Sequence, residues 1–186
     1  MKEVENVLRI IKDTRRFISE GNVHEIKMLS NQTIHTATTS QDPDNIILAV
    51  LVYAIGKVLE RDNYKRLEGW EVFYDSVIKN LDHAIIDLEQ GKIENARTHL
   101  GNIRNSLNKI SGDLSEYIKD IFRKAEINKA FKMYEHGLSS KQTADLLGIS
   151  LWDLSTYIGQ SSVSNSKIAI SMPEFKRLKI AEDFFR

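Results

Sequence analysis

The side chains most capable of chemistry in this sequence are five histidines, and their spacing argues against a metal or catalytic site. They are His24, His35, His83, His99 and His136. No two have the His-x-x-x-His spacing that places two ligands on one helical face, and no Glu-x-x-His motif occurs. A phosphate-binding loop and a Gly-x-Ser-x-Gly nucleophile motif are also missing, and there is no cysteine. We therefore predict no catalytic residue, no metal ligand, no cofactor and no enzymatic activity.

One polar cluster still requires an explanation, because Ser, Thr and Asn are poor choices for a helix interior. It comprises Ser30, Asn31, His35 and Thr38, with Gln41 and Asp42 following. Asn31, His35 and Thr38 follow helical spacing and share a face. Two interpretations remain open. The cluster lines a polar pocket, or it forms a buried hydrogen-bond network where two helices meet.

The clearest motif lies near the C-terminus, between Ser139 and Ile158. Ala144 is small enough for two helices to cross at close range, and Gly148 suits a turn that needs positive φ. Ile149 is placed to fill the space between the helices, and Ser150 can cap the second one. Three further apolar residues should face the core, namely Leu147, Leu154 and Ile158. This spacing predicts two short helices joined by a tight turn.

The segment resembles the helix-turn-helix family of DNA-binding proteins, through the pattern Ala-x-x-Leu-Gly-Ile-Ser at Ala144 to Ser150. The run from Lys129 to Gly159, with Tyr134-Glu135-His136-Gly137 ahead of the unit, is also similar to a module of small archaeal antitoxins or regulators. Those proteins are associated with PIN-type ribonuclease toxins. The resemblance implies DNA contact through the second helix and a protein partner such as a PIN-type nuclease.

The DNA-binding residues that this resemblance implies are Lys141, Gln142, Trp152, Ser155, Thr156 and Gln160. Over residues 138–160, however, Lys141 stands against Asp145 and Asp153, which gives a net charge of −1. Phosphate binding draws its affinity from cations, so this helix pair is poorly equipped alone. The alternative is that the pair contacts a protein and no nucleic acid.

Cations are more frequent on the two preceding helices. Arg97 and Arg104 lie seven residues apart and share a face. The next helix adds five cations: Lys119, Arg123, Lys124, Lys129 and Lys132. These residues either meet phosphates or form ordinary solvated helix faces.

The residues after Ser162 combine an apolar stripe with interleaved cations, a composition that suits docking on another protein. The residues predicted to bind a partner are Lys167, Phe175, Lys176, Arg177, Lys179 and Phe184. If the partner is a PIN-type nuclease, a Lys or Arg of this tail would reach its acidic metal site. Alternatively, the tail packs on its own bundle or on the second copy of a dimer.

The elements that must position these residues are helices throughout. Apolar periodicity predicts helices at about 2–20, 22–40, 43–61, 67–90, 93–111 and 114–136, followed by the two short ones. Asp42 should cap the third helix, with Pro43 at its first position. The sixth helix changes its apolar face partway, which predicts two packing partners. Residues 167–171 read as a short strand and residues 173–185 as an amphipathic helix.

We therefore predict an all-α protein with an N-terminal helical bundle at 1–112. A connector helix and helix-turn-helix unit follow at 113–160, and a linker and partner-binding tail at 161–186. The 26 basic and 26 acidic residues give zero formal net charge, which does not indicate a strongly basic nucleic-acid binder. The longest apolar run has ten residues, Ile46–Ile55, where a membrane span needs about 20. We expect a cytoplasmic homo-oligomer that acts as a DNA-binding regulator or antitoxin-like protein, or else as a helical interaction scaffold.

Overall fold

A computed structural model describes residues 1, 3–40, 42–106, 112–147 and 149–160. For residues 37–40 and 160 it describes the backbone alone. This part of the chain is all-α, as predicted, and contains no strand. Its eight α-helices are α1 Val4–Glu20, α2 Val23–Ser40, α3 Pro43–Leu59, α4 Trp70–Glu89, α5 Ile93–Asn105, α6 Asp113–Glu135, α7 Ser140–Leu147 and α8 Leu151–Gln160.

The third helix is the centre of the N-terminal bundle. Its residues from Leu48 to Ile55 are buried with the single exception of half-buried Tyr53. It packs against α2 on one side and α6 on the other, while α1 packs on α4 and α4 on α5. Asp42 accepts a hydrogen bond from the Asp44 amide at 3.1 Å, and Pro43 begins the helix. The cap predicted from the Asp-Pro pair is therefore confirmed.

The sixth helix serves several packing partners, as its change of apolar phase predicts. Its first half, with Ile118 and Phe122, joins the large core of the bundle. Further along, Phe131 packs with residues of α7 and α8, and Met133 packs with Ile34 of α2 and Ile46 of α3. One continuous helix thus connects the bundle to the two short helices.

The bounds predicted on either side of the turn between α3 and α4 were wrong by two to three residues. The third helix ends at Leu59, before Arg61, and a 3-10 turn follows at Asp62–Arg66. That turn buries Tyr64, which accepts a hydrogen bond from Arg61 at 2.8 Å and stacks on Tyr117. The next helix starts only at Trp70, after Gly69 adopts a φ of 88°. The strand predicted at 167–171 and the helix predicted at 173–185 lie outside the described residues.

Across the described ranges, no helix combines the length and the apolar character that a membrane crossing requires.

Candidate functional site

Each of the two short C-terminal helices begins with a side-chain cap. At α7, Ser139 Oγ accepts a hydrogen bond from the backbone N–H of Gln142 at 3.2 Å. In return, the side-chain oxygen Oε1 of Gln142 accepts one from the backbone N–H of Ser139 at 3.2 Å. At α8, Ser150 Oγ accepts from the Asp153 amide at 3.0 Å and donates to the Asp153 carboxylate at 2.8 Å. These reciprocal caps satisfy donors that the first turn of a helix leaves unpaired. The cap predicted at Ser150 is confirmed, and the one at Ser139 was missed.

A small apolar cluster holds α7 and α8 against α6. Ala144 of α7 and Leu154 of α8 are buried with Ala130 and Phe131 of α6. The Tyr157 ring meets the Phe131 ring edge-on, with 5.5 Å between their centroids. Small side chains at the centre let the helices approach closely. Leu147, Ile149 and Ile158 pack around this cluster as predicted, whereas Gly148 lies outside the described residues.

One face of α8 is left exposed by this packing. Trp152 is 80% exposed, an unusual value for so large an apolar side chain. Ser155 and Thr156 are exposed on the same side, three and four positions further along the helix. Leu154, between them, points inward with no exposed surface. Lys141 and Gln142, in the first turn of α7, are exposed as well.

Five of the six predicted DNA-binding side chains are therefore accessible, and for Gln160 only the backbone is described. The Gln142 amide oxygen already serves the cap of α7. The cations near α8 are few. Arg123 of α6 reaches across to Asp153, with its Nη2 3.1 Å from the carboxylate, and is itself 67% exposed.

The predicted basic face of α5 is occupied by ion pairs within the fold. Arg97 donates two hydrogen bonds to the carboxylate of Asp44, at 2.9 and 2.7 Å, and also pairs with Glu94. The guanidinium lowers the pKa of Asp44. Arg104 lies 2.8 Å from Glu126 of α6, whose pKa is raised by burial. These two arginines join helices of the protein, so a phosphate would compete with the carboxylates that already pair with them.

The prediction of solvated or phosphate-facing cations on α6 was wrong for Lys129, whose side chain is fully buried. Its ammonium donates to Asn31 Oδ1 of α2 at 2.9 Å and lies 4.2 Å from the centre of the Tyr53 ring of α3. Burial lowers the pKa of Lys129 to about 8. Among the described residues no carboxylate forms a salt bridge with it. Lys129 therefore connects three helices through one amide and one aromatic ring.

The polar cluster on α2 is for the most part a seam between helices. Ser30 is buried and donates to the backbone oxygen of Ala49 in α3 at 2.7 Å. Asn31 receives the Lys129 ammonium. The ring of His35 meets the ring of His136 edge-on, with 5.1 Å between centroids. The Thr38 side chain lies outside the described residues. For Ser30 and Asn31, the hydrogen-bond network is the interpretation that the contacts support.

The remaining histidines do not assemble a metal centre within the described ranges. His83 and His99 lie 5.0 Å apart between ring centroids, and His99 also contacts Asp87 and Asn80. No three His, Asp or Glu side chains there are grouped as a metal ion requires.

The predicted partner-binding residues Lys167, Phe175, Lys176, Arg177, Lys179 and Phe184 all lie outside the described residues. The candidate site that geometry supplies is thus the exposed face of α8 with the first turn of α7. Comparison of the chain with models of protein families, with curated proteins and with solved structures finds no match.

Proposed function

We propose that this protein is a DNA-binding transcriptional regulator or antitoxin-like protein in which α7 and α8 form a helix-turn-helix unit. The observation that carries the proposal is the orientation of α8, which buries Leu154 on α6 while leaving Trp152, Ser155 and Thr156 exposed. A recognition helix has this division, because its outer face enters the major groove. Hydroxyl groups can bond base edges there, and an apolar ring can contact a thymine methyl group.

Phosphate contacts would come from few residues. Lys141 is exposed at the start of α7, and no described residue forms an ion pair with it. Arg123 is the other candidate, since its guanidinium is exposed beside α8. A unit with so few cations should bind DNA weakly as a monomer, which agrees with the expectation of a homo-oligomer that contacts two half-sites. Sedimentation of the full chain would measure the oligomeric state.

The test is retention of random-sequence DNA duplexes on the immobilised full chain, with enrichment over successive rounds. We expect an enriched sequence whose affinity falls steeply with salt. Thr156→Ala should weaken binding to it by roughly three- to tenfold, because a base contact is lost. The matched control is Thr98→Ala, an exposed threonine of α5. Lys141→Ala should reduce the salt slope by about one, and Lys79→Ala of α4 should not.

Absence of any enriched or salt-sensitive DNA would reject DNA binding and favour the second candidate, a helical interaction scaffold. The scaffold role is favoured by the exposure of Trp152, because a tryptophan that protrudes from a helix with no cation suits a protein interface.

The antitoxin-like part of the proposal concerns residues 161–186, whose cations and apolar stripe suit the acidic metal site of a PIN-type nuclease. The test is inhibition of such a nuclease by the full chain. Replacing Lys176 and Arg177 together by alanine should relieve inhibition, whereas replacing Lys79 should leave it intact. Equal inhibition by both variants would reject this role of the tail.

A further inference from the structure

An apolar groove lies between the N-terminal bundle and α7. Its volume is about 490 Å³, within the range of small-molecule sites. Leu51 of α3, Leu100 of α5 and Phe122 of α6 contribute to its floor, and Leu147 of α7 contributes to its wall. The first three are more than nine-tenths buried and present only their outer edges, whereas Ile47 of α3 adds a side chain that is 54% exposed. Four different helices thus supply one shallow hydrophobic site.

The charged side chains that line this groove include more carboxylates than cations, and they differ in how exposed they are. Arg104, Glu126 and Asp145 line the groove, which gives one positive and two negative charges. Glu126 is the deeper partner of its ion pair, with its side chain 13% exposed against 65% for Arg104. Asp145 is exposed on α7 and forms no ion pair with another described residue. Because Glu126 is paired with Arg104, the carboxylate of Asp145 leaves the lining of the groove with a net negative charge.

We propose that this groove binds a small molecule that combines an aromatic or alicyclic ring system with a single positive charge. The ring would cover the leucine and phenylalanine edges and remove them from water. The cation would lie toward Glu126 and Asp145, where Coulomb attraction is stronger than in bulk water because the floor has a low dielectric. An anion of the same shape would face a net negative charge and be repelled.

Such a ligand would touch α7 and three helices of the bundle at once. Because it binds the packed arrangement better than a separated one, it would stabilise the attachment of α7 by mass action. Binding in this groove does not require that the protein binds DNA.

The test uses three probes that share one ring system and differ in charge, namely 1-naphthylmethylamine, 1-naphthylmethanol and 1-naphthoate. Each is titrated into the full chain near neutral pH, with affinity measured by calorimetry and the site read from methyl NMR shifts of Ile47 and Leu146, which line the groove. We expect the amine to bind about tenfold more tightly than the carboxylate, with the alcohol between them. Glu126→Gln should abolish most of this difference, because it leaves one positive and one negative lining charge, Arg104 and Asp145.

Gly101 offers a way to fill the groove without disturbing the core. It lines the groove on α5, and a Cβ added there would meet no atom within 4 Å. Gly101→Trp should therefore abolish binding of all three probes, while the matched control Gly101→Ala keeps it. Three results would overturn the proposal in a chain that remains folded. The first is unchanged binding by the Gly101→Trp variant, and the second is equal affinity for amine and carboxylate. The third is a failure of the full chain to bind any probe, as expected if residues 161–186 already fill the groove.

Discussion

The residue that departs furthest from expectation is Lys129, because a charge-bearing side chain is fully buried at the junction of α2, α3 and α6. A sequence signal for it does exist. Ile121, Ala125, Lys129 and Met133 recur every four residues, so the lysine falls within an apolar stripe. The signal is weak because long lysine side chains often extend from such a stripe to water. Its amide partner, Asn31, lies 98 positions away, and no local pattern predicts that pairing.

Burial of Lys129 has a consequence for the pH dependence of stability. The pKa is about 8 in the folded protein, against 10.5 for an unperturbed lysine. The unfolded chain therefore holds this proton more tightly, and the free energy of unfolding should rise as pH increases from about 8 to about 10.5. Below about pH 8 the buried lysine is charged in the folded protein, so the full cost of burying that charge lowers the free energy of unfolding. A pKa shift of this size would change the free energy of unfolding by at most about 3 kcal/mol across this pH window. The contacts of the ammonium with Asn31 and Tyr53 favour its charged form and therefore act against the shift.

Lys129→Met should remove this pH dependence while preserving most of the packing volume. We expect the stability of the variant, relative to the unmodified protein, to fall by about 1–3 kcal/mol between about pH 7 and about pH 10. Urea unfolding at the two pH values measures it. The control is Lys124→Met, since that lysine is 73% exposed and, within the described part of the chain, pairs only with Asp120. Parallel pH profiles of the Lys129 variant and the unmodified protein would contradict a buried, titrating lysine.

At the scale of single elements, sequence reasoning succeeded where the cause is local. The Asp42-Pro43 start of α3 and the Ser150 cap of α8 each depend on residues a few positions apart. It failed where a helix end depends on distant contacts. In the turn after α3, Tyr64 is buried and stacks on Tyr117 of α6, a partner that the sequence between Leu59 and Trp70 does not reveal. The exposed face of α8 was predictable because Leu154 and Ile158 define its opposite, buried side.

The cap of α8 provides a second prediction. Ser150→Ala removes the hydroxyl that accepts from the Asp153 amide, and this should cost about 1 kcal/mol. Ser150→Asn should retain most of the stability that Ser150→Ala loses, because asparagine is about as good an N-cap residue as serine. Urea unfolding gives the stability, and hydrogen exchange of the Asp153 amide gives the local effect. An alanine variant with unchanged exchange at that amide would show that the cap does not hold the helix start.

At the scale of the whole molecule, the bundle and the helix pair differ in how much core holds them. The bundle has a single large cluster of buried side chains drawn from α1 to α6. The helix pair is held by the small cluster of Ala130, Phe131, Ala144 and Leu154, and Leu147 of α7 also packs against a second small cluster that includes residues of α3. Side-chain links between distant segments occur in both parts, for example Arg97 with Asp44 inside the bundle and Arg123 with Asp153 between α6 and α8. Sequence periodicity predicted which faces are apolar, but it could not predict this unequal division, because the partners are far apart in the chain.

This inequality predicts that α8 opens without unfolding of the bundle. Segments with few buried contacts open at a lower free energy than the core. In native-state hydrogen exchange, the Leu154 amide of α8 should therefore exchange through a smaller opening than the Val52 amide of α3. Ala144→Leu should overpack the contact with Ala130 and lower the opening free energy of α8 by about 1–3 kcal/mol, leaving α3 nearly unchanged. The control is Asp145→Leu, which adds the same side chain at the exposed neighbouring position. If α8 and α3 exchange at one common free energy, and Ala144→Leu lowers both equally, the molecule is a single cooperative unit. The exposed face of α8 would then be as rigid as the bundle itself.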